Sequence, residues 1–90
     1  MHDFEKRIFY DNGQSVLLSK QENIILALLI ENKKNITSYE EISICIYNQK
    51  LQGRNYYNIV RTVSRLRLKL KGLLNIYNRY EKGYCLYEYW

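Results

Sequence analysis

The sequence predicts an α+β domain with a short N-terminal β-hairpin, three helices and a C-terminal β-hairpin. Three observations indicate this order: an Asn12-Gly13 turn signal between two β-forming runs, two helix-capping patterns, and a second turn at Gly83 near the C-terminus. The 90 residues contain no proline, repeat or low-complexity tract, so we expect a single domain over residues 1–90.

Strands are expected at residues 6–10 and 14–18, on either side of the first turn. Ser19 and Glu22 form an S-x-x-E capping box, which places the first helix at residues 20–32. The middle of this helix is apolar on nearly all sides. We therefore expect the strands to cover one side of it and the other helices to cover the opposite side.

A second capping box, formed by Thr37 and Glu40, predicts a short helix at residues 38–47. Residues 48–54 are mostly polar and include a glycine, which is typical of a loop. The third helix is expected to follow this loop directly.

The third helix is predicted at residues 56–71, with Gly72 just past its C-cap. Its inner face consists of four apolar residues at spacings of 4, 3 and 4, namely Ile59, Val63, Leu66 and Leu70. The opposite face is polar and basic apart from one leucine, and consists of Tyr57, Asn58, Arg61, Ser64, Arg65 and Leu68. Arg54 joins this face if the first turn extends that far towards the N-terminus. Several bases therefore share the solvent side of this helix.

The positive charge is concentrated in the C-terminal part of the chain. Residues 1–53 carry a net charge of −1 and residues 54–90 a net charge of +6, within a formal total of +5. Such one-sided basicity predicts a polyanionic partner, either nucleic acid or an acidic membrane surface, unless it serves only solubility. Because the basic helix also supplies core residues, a membrane role is the weaker interpretation.

The composition excludes several other classes. Cys45, Cys85 and His2 cannot supply the four ligands of a zinc site. We expect both cysteines to be small buried apolar residues, and a single disulfide between them is the alternative. The longest apolar run, residues 24–30, is too short to cross a bilayer, and no secretory signal is visible, so we expect a cytoplasmic protein. No nucleophile–base pair or glycine-rich phosphate loop is present, which argues against an enzyme and against a cofactor.

The last two strands are predicted at residues 76–79 and 84–89, around a turn that ends at Gly83. Together these elements predict a winged helix-turn-helix. In such a fold the outer face of the third helix enters the DNA major groove, which is about 12 Å wide. Arg79 and Lys82 of the final hairpin, the wing, are then expected to reach the adjacent backbone or minor groove.

Four motifs occur in the order and spacing of a known family. They are Ser19-x-x-Glu22 before an apolar helix, the second helix from Thr37, the run Val63-Ser64-Arg65-Leu66-Arg67-Leu68-Lys69-Leu70, and Gly83-Tyr84-x-Leu86. The third resembles an I-S-R-L-R-x-K-L signature and the fourth a G-Y-x-L wing ending. Over roughly residues 8–86 the chain thus resembles the DNA-binding effector domain of OmpR/PhoB-type response regulators.

The resemblance implies individual roles. Arg65 would reach into the major groove, and Tyr80 stands where the family has an arginine that enters the minor groove. Backbone or phosphate contacts are implied for Thr62, Ser64, Arg67, Asn78 and Tyr84. With the charged and polar neighbours added, the predicted DNA-contacting set is Tyr57, Asn58, Arg61, Thr62, Ser64, Arg65, Arg67, Lys69, Asn78, Arg79, Lys82 and Tyr84.

The chain also departs from the family. Tyr47 replaces a usual tryptophan, and the N-terminal sheet is expected to have only about two strands. No receiver domain is present, so the chain is either part of a longer regulator or a stand-alone domain. The resemblance further implies contact with RNA polymerase through residues 48–54 and a homodimer on repeated half-sites.

Two functions remain open from the sequence. The first is sequence-specific binding of double-stranded DNA as a transcriptional regulator. The second is a protein-interaction or dimerisation module built on the same winged helix, because a fold alone does not determine a function.

Overall fold

Six short strands and three helices form the fold over residues 1–87, the part of the chain that the computed structural model describes. The strands are β1 (His2–Asp3), β2 (Ile8–Asp11), β3 (Gln14–Leu17), β4 (Thr37–Ser38), β5 (Tyr77–Arg79) and β6 (Gly83–Cys85). The helices are α1 (Lys20–Glu31), α2 (Tyr39–Tyr47) and α3 (Gly53–Lys69). The α+β winged-helix prediction is confirmed.

The N-terminal sheet is antiparallel in the order β1-β2-β3. Asn12 and Gly13 join β2 to β3 with φ angles of 50° and 78°, as a two-residue hairpin turn requires. The predicted hairpin is therefore confirmed, but the prediction of about two strands was wrong. β1 has too few residues to show an alternating pattern, and a 2.6 Å hydrogen bond between His2 Nε2 and Asn23 Oδ1 of α1 holds it.

The predicted capping box begins α1. Ser19 Oγ accepts a hydrogen bond from the Glu22 N–H at 3.2 Å, and Glu22 Oε1 accepts one from the Ser19 N–H at 2.7 Å. The helix contacts both α2 and α3. Its fully buried side chains are Ile25, Leu26 and Leu29. Phe9 of β2 and Leu18 join the same core, so α1 is covered by both the hairpin and the helices.

The second helix begins one residue later than predicted, because Ser38 and not Thr37 caps it. Ser38 Oγ accepts a hydrogen bond from the Glu41 N–H at 3.0 Å. Thr37 lies in β4, where it pairs with Tyr84, and its buried hydroxyl accepts a 2.9 Å hydrogen bond from Asn32 Nδ2. Both residue types can cap a helix, and the strand pairing decides which one does.

The third helix begins at Gly53, three residues earlier than predicted, and the preceding loop is shortened to residues 48–52. The side chain of its N-cap, Gln52, makes no capping hydrogen bond, so no capping pattern marks this start. Instead, the buried Asn55 Nδ2 donates to Ser43 Oγ at 3.2 Å and to the Lys50 carbonyl at 3.3 Å. These bonds fix the loop against α2.

The inner face of α3 is confirmed, since its four apolar residues are at most 1% exposed: Ile59, Val63, Leu66 and Leu70. The helix ends at Lys69 with Leu70 as its C-cap, and Gly72, at a φ of 84°, turns the chain two residues beyond that cap. The helix thus ends two residues before the predicted residue 71, and Gly72 stands two residues after the C-cap instead of one.

The wing is formed by β5 and β6, and β6 also pairs with β4 to give a second antiparallel sheet in the order β4-β6-β5. The sheet ties the wing to the start of α2. Both wing strands are shorter than predicted, and residues 88 and 89 of the predicted last strand lie outside the described residues.

The two cysteines differ in their exposure to solvent. Cys85 is buried as predicted, but Cys45 is exposed on α2, because only one face of that helix packs on the core. Both thiols are free. No helix in residues 1–87 combines the length and the apolar character needed to cross a membrane.

Candidate nucleic-acid interface

The outer face of α3 carries an exposed basic stripe, formed by Arg54, Arg61 and Arg65. At about 100° per residue, these three arginines fall within a sector of about 40° on the side opposite the buried stripe. The helix contains no acidic residue. Because the core holds the inner face rigidly, the arginines are presented together to solvent.

Most of the predicted contacts on α3 share the surface around this stripe. The exposed ones are Tyr57, Arg61, Ser64, Arg65 and Lys69, and Asn58 is half-buried. Arg67 is exposed as well, but at about 100° per residue it lies about 120° from Arg61 and about 160° from Arg65, on a flank of α3 away from the stripe. Leu68 lies on the same side and is 74% exposed, as the helix phase predicts.

Thr62 and Tyr84 do not lie on this surface. Thr62 is 6% exposed, and its hydroxyl donates to the Asn58 carbonyl at 2.9 Å and lies 3.4 Å from Gln21 Oε1 of α1. Tyr84 is 3% exposed, with its ring edge-on to Tyr39 at 5.4 Å between centroids. Burial, together with the neighbouring Tyr39, raises the pKa of the Tyr84 phenol well above its ordinary value. Both side chains are used in packing.

Lys69 is also engaged within the fold. Its Nζ lies 2.7 Å from Glu22 Oε1 and donates to the Leu17 carbonyl at 3.2 Å. Burial alone would raise the pKa of the Glu22 carboxyl, but the hydrogen bonds from Lys69 and the Ser19 N–H, with the Lys69 charge, outweigh it. The pKa is therefore lowered, and the pair ties the end of α3 to the start of α1.

This ion pair predicts a pH-dependent contribution to stability. Because the folded-state pKa of Glu22 lies below its ordinary value of 4.5, the contribution is complete above that value and is lost as the pH falls through the folded-state pKa. Glu22→Gln is expected to lower the free energy of unfolding by about 1 kcal/mol at pH 7, since Lys69 is partly exposed. Urea unfolding at pH 7 and pH 3 measures this, and an equal difference at both values would contradict it.

The wing stands beside the first turn of α3. Tyr56 packs edge-on to Tyr39 at 4.9 Å between ring centroids. The pKa of the Tyr56 phenol is raised, chiefly by Tyr39 and to a smaller extent by burial and by Glu81 at the wing tip. Tyr39 thus packs against both Tyr84 of the wing and Tyr56 of α3 and joins the two elements.

The predicted contact residues of the wing differ in how far their side chains are exposed to solvent. Asn78 is exposed, but its Nδ2 donates to the Tyr39 hydroxyl at 3.0 Å. Arg79 is half-buried, whereas Lys82 is exposed at the tip. Tyr80, at the position of the family's minor-groove arginine, is 81% exposed.

Three positioning features are absent from the sequence predictions. They are the Glu22–Lys69 pair, the Asn55–Ser43 bond and the contacts of Tyr39. No spacing pattern marks the first, because its partners are 47 positions apart. The described residues contain no group of three or more histidine, cysteine or acidic residues able to hold a metal ion.

Three helices with a β-hairpin wing seated beside an exposed, basic third helix define a winged-helix domain. Neither a protein-family model nor a curated protein matches the sequence. Solved structures do. The DNA-binding domain of CpxR from E. coli matches with a TM-score of 0.80 and 22% identity, over 94% of this chain and 86% of that one.

Two further solved domains match as well. The DNA-binding domain of Bacillus subtilis CssR gives a TM-score of 0.77 and 28% identity, over 92% of this chain and 93% of that one. The Klebsiella pneumoniae RstA DNA-binding domain, in complex with an RstA box, gives a TM-score of 0.79 and 24% identity, over 93% of this chain and 86% of that one. The chain has the winged-helix fold of OmpR/PhoB-type response-regulator DNA-binding domains, and the resemblance seen in the sequence is confirmed.

Proposed function

We propose that this chain binds double-stranded DNA in a sequence-specific manner and regulates transcription. The observation that carries the proposal is the exposed arginine stripe of α3, directly opposite its buried stripe. An α-helix with side chains is about 10–12 Å across, and the major groove is about 12 Å wide. The outer face of α3 therefore fits the groove while the core fixes its orientation.

The proposed contacts are the predicted residues whose side chains reach the surface, except Lys69, which is engaged with Glu22. On α3 and the wing these are Tyr57, Asn58, Arg61, Ser64, Arg65, Arg67, Asn78, Arg79 and Lys82. Arg65 is the C-terminal arginine of the stripe and is proposed to read a base, as the resemblance implies, whereas Lys82 at the wing tip is proposed to hold a phosphate. The similar RstA domain is in complex with an RstA box, which supports DNA binding by this fold.

The proposal extends to partners and location. Residues 48–52 form the loop proposed to contact RNA polymerase, and Leu51 N–H donates to Glu40 Oε2 at 2.8 Å, which fixes the loop on α2. Two copies are proposed to bind repeated half-sites. A regulator of this kind works in the compartment that holds the DNA, so a cytoplasmic location and a purely binding role belong to the proposal.

Binding to random duplex DNA at several salt concentrations tests the function. If about 4–6 phosphates are neutralised, log K plotted against log salt should fall with a slope of about −4 to −5. Such a slope is expected because α3 and the wing tip together present several exposed basic side chains. A slope near zero, or no binding at about 50 mM salt, would contradict DNA binding and favour the interaction or dimerisation module.

Two substitutions separate base reading from phosphate binding. Arg65→Ala is expected to cost about 1–3 kcal/mol at a selected site and to relax its sequence preference, because a bidentate arginine discriminates between bases. Lys82→Ala should weaken all sequences equally and reduce the salt slope by about one. Titrations on selected and random duplexes measure both effects, and identical behaviour of the two variants would contradict the assigned roles.

A further inference from the structure

We propose that Leu68 contacts a thymine 5-methyl group in the major groove and so selects an A·T pair of defined orientation. This inference rests on the proposed binding of α3 to DNA. It concerns the one residue of the outer face that has no polar group in its side chain.

The position of Leu68 is unusual for an apolar side chain. It follows Arg61 by seven positions and Arg65 by three, which places it on the same helix face, about 20° from Arg61 at 100° per residue. It is 74% exposed, whereas Leu66, two positions before it, is 0% exposed. Leu68 thus contributes little to the core, and it lies among the arginines that a polyanion would bind.

The chemistry of the groove indicates what such a side chain can read. Of the four base edges in the major groove, only that of thymine carries a methyl group, and apolar side chains recognise it by contact. A leucine offers no hydrogen bond to any base edge, so its discrimination would come from contact with the methyl group alone. The flanking arginines would fix the helix on the duplex while Leu68 selects one base.

Deoxyuridine tests the contact directly, because it lacks the methyl group but keeps the hydrogen-bonding pattern of thymine. A duplex is first selected from a random library with the wild-type protein. It is then synthesised again with each thymine in turn replaced by deoxyuridine. The wild-type protein is expected to lose about three- to four-fold in affinity at one or two adjacent positions, as the burial of one methyl group implies.

The variants assign this effect to one side chain. Leu68→Ala should bind the thymine and deoxyuridine duplexes equally at those positions, with an unchanged salt slope. Ile44→Ala is the matched control, because Ile44 is 49% exposed but lies on α2, and it should keep the full discrimination. Both substitutions remove exposed apolar surface, so both variants are expected to fold.

Two results would overturn this inference without contradicting the proposed function. The first is salt-dependent binding with the same deoxyuridine discrimination in the wild-type protein and in Leu68→Ala. The second is a loss of self-association in Leu68→Ala, seen by sedimentation, with the discrimination intact, which would assign the leucine to a contact between copies. If the wild-type protein binds no duplex at low salt, the proposed function fails and the inference fails with it.

Discussion

Leu66→Ala is expected to lower the free energy of unfolding by about 2–5 kcal/mol, a large share of the stability available to a domain of this size. Leu66 is completely buried in the core that α3 shares with α1 and α2. Truncation removes apolar contacts and leaves a cavity, because helices held on several sides close only partly around it. Urea unfolding and thermal melts measure the loss, and DNA binding should fall only because the folded fraction falls.

Leu68→Ala is the matched control for this prediction. The same truncation at a side chain that is 74% exposed should change stability by less than about 0.5 kcal/mol. The pair tests the rotational phase of α3, on which the assignment of Arg61 and Arg65 to the outer face depends. If Leu68→Ala proved the more destabilising of the two, that assignment would be wrong.

Gly83→Ala is expected to detach the wing and to cost about 3–5 kcal/mol. A Cβ at this position would lie 2.0 Å from the Thr37 carbonyl oxygen, and the φ angle of 154° is one that other residues rarely adopt. Since Thr37 and Ser38 pair with β6, the clash falls on the contact that joins the wing to α2. Neither backbone can move away without breaking this pairing.

Gly72→Ala is the control that separates the steric clash at Gly83 from the backbone strain of a positive φ angle. Gly72 also has a positive φ angle, 84°, but a Cβ there would meet nothing within 4 Å. The expected cost is therefore only the strain, about 1–2 kcal/mol. Unfolding curves for both variants, with amide exchange in β6, measure the difference. Equal destabilisation, or unchanged protection of β6 in Gly83→Ala, would show that the close approach to Thr37 does not contribute to the loss of stability.

Features that depend on neighbouring residues are predictable from this sequence. The Asn12-Gly13 turn, the Ser19–Glu22 capping box and the buried stripe of α3 all occur as predicted. Each follows from hydrogen bonds or helical spacing within a few positions, so the local sequence contains the whole signal. The exposed arginine stripe could be predicted for the same reason, because the phase of an amphipathic helix determines both of its faces.

Predictions failed where two local solutions were nearly equal and a distant partner chose between them. Thr37 and Ser38 both suit an N-cap, and the pairing of β4 with β6 assigns Thr37 to the sheet. Gly53 is typical of a loop, yet the hydrogen bonds of Asn55 to α2 and to the loop hold it in the first turn of α3. These partners are distant in sequence, so no short pattern contains them.

The sequence by itself determined the order of the elements, the inner and outer faces of α3 and the resemblance that goes with them. Only the tertiary structure decided which predicted contacts are available. It buries Thr62 against α1 and Tyr84 against Tyr39, and it engages Lys69 with Glu22. The physical reason is that helical spacing shows which side of a helix a residue occupies, whereas the packing of α1 and the wing against the flanks of α3 determines how much of that side remains exposed.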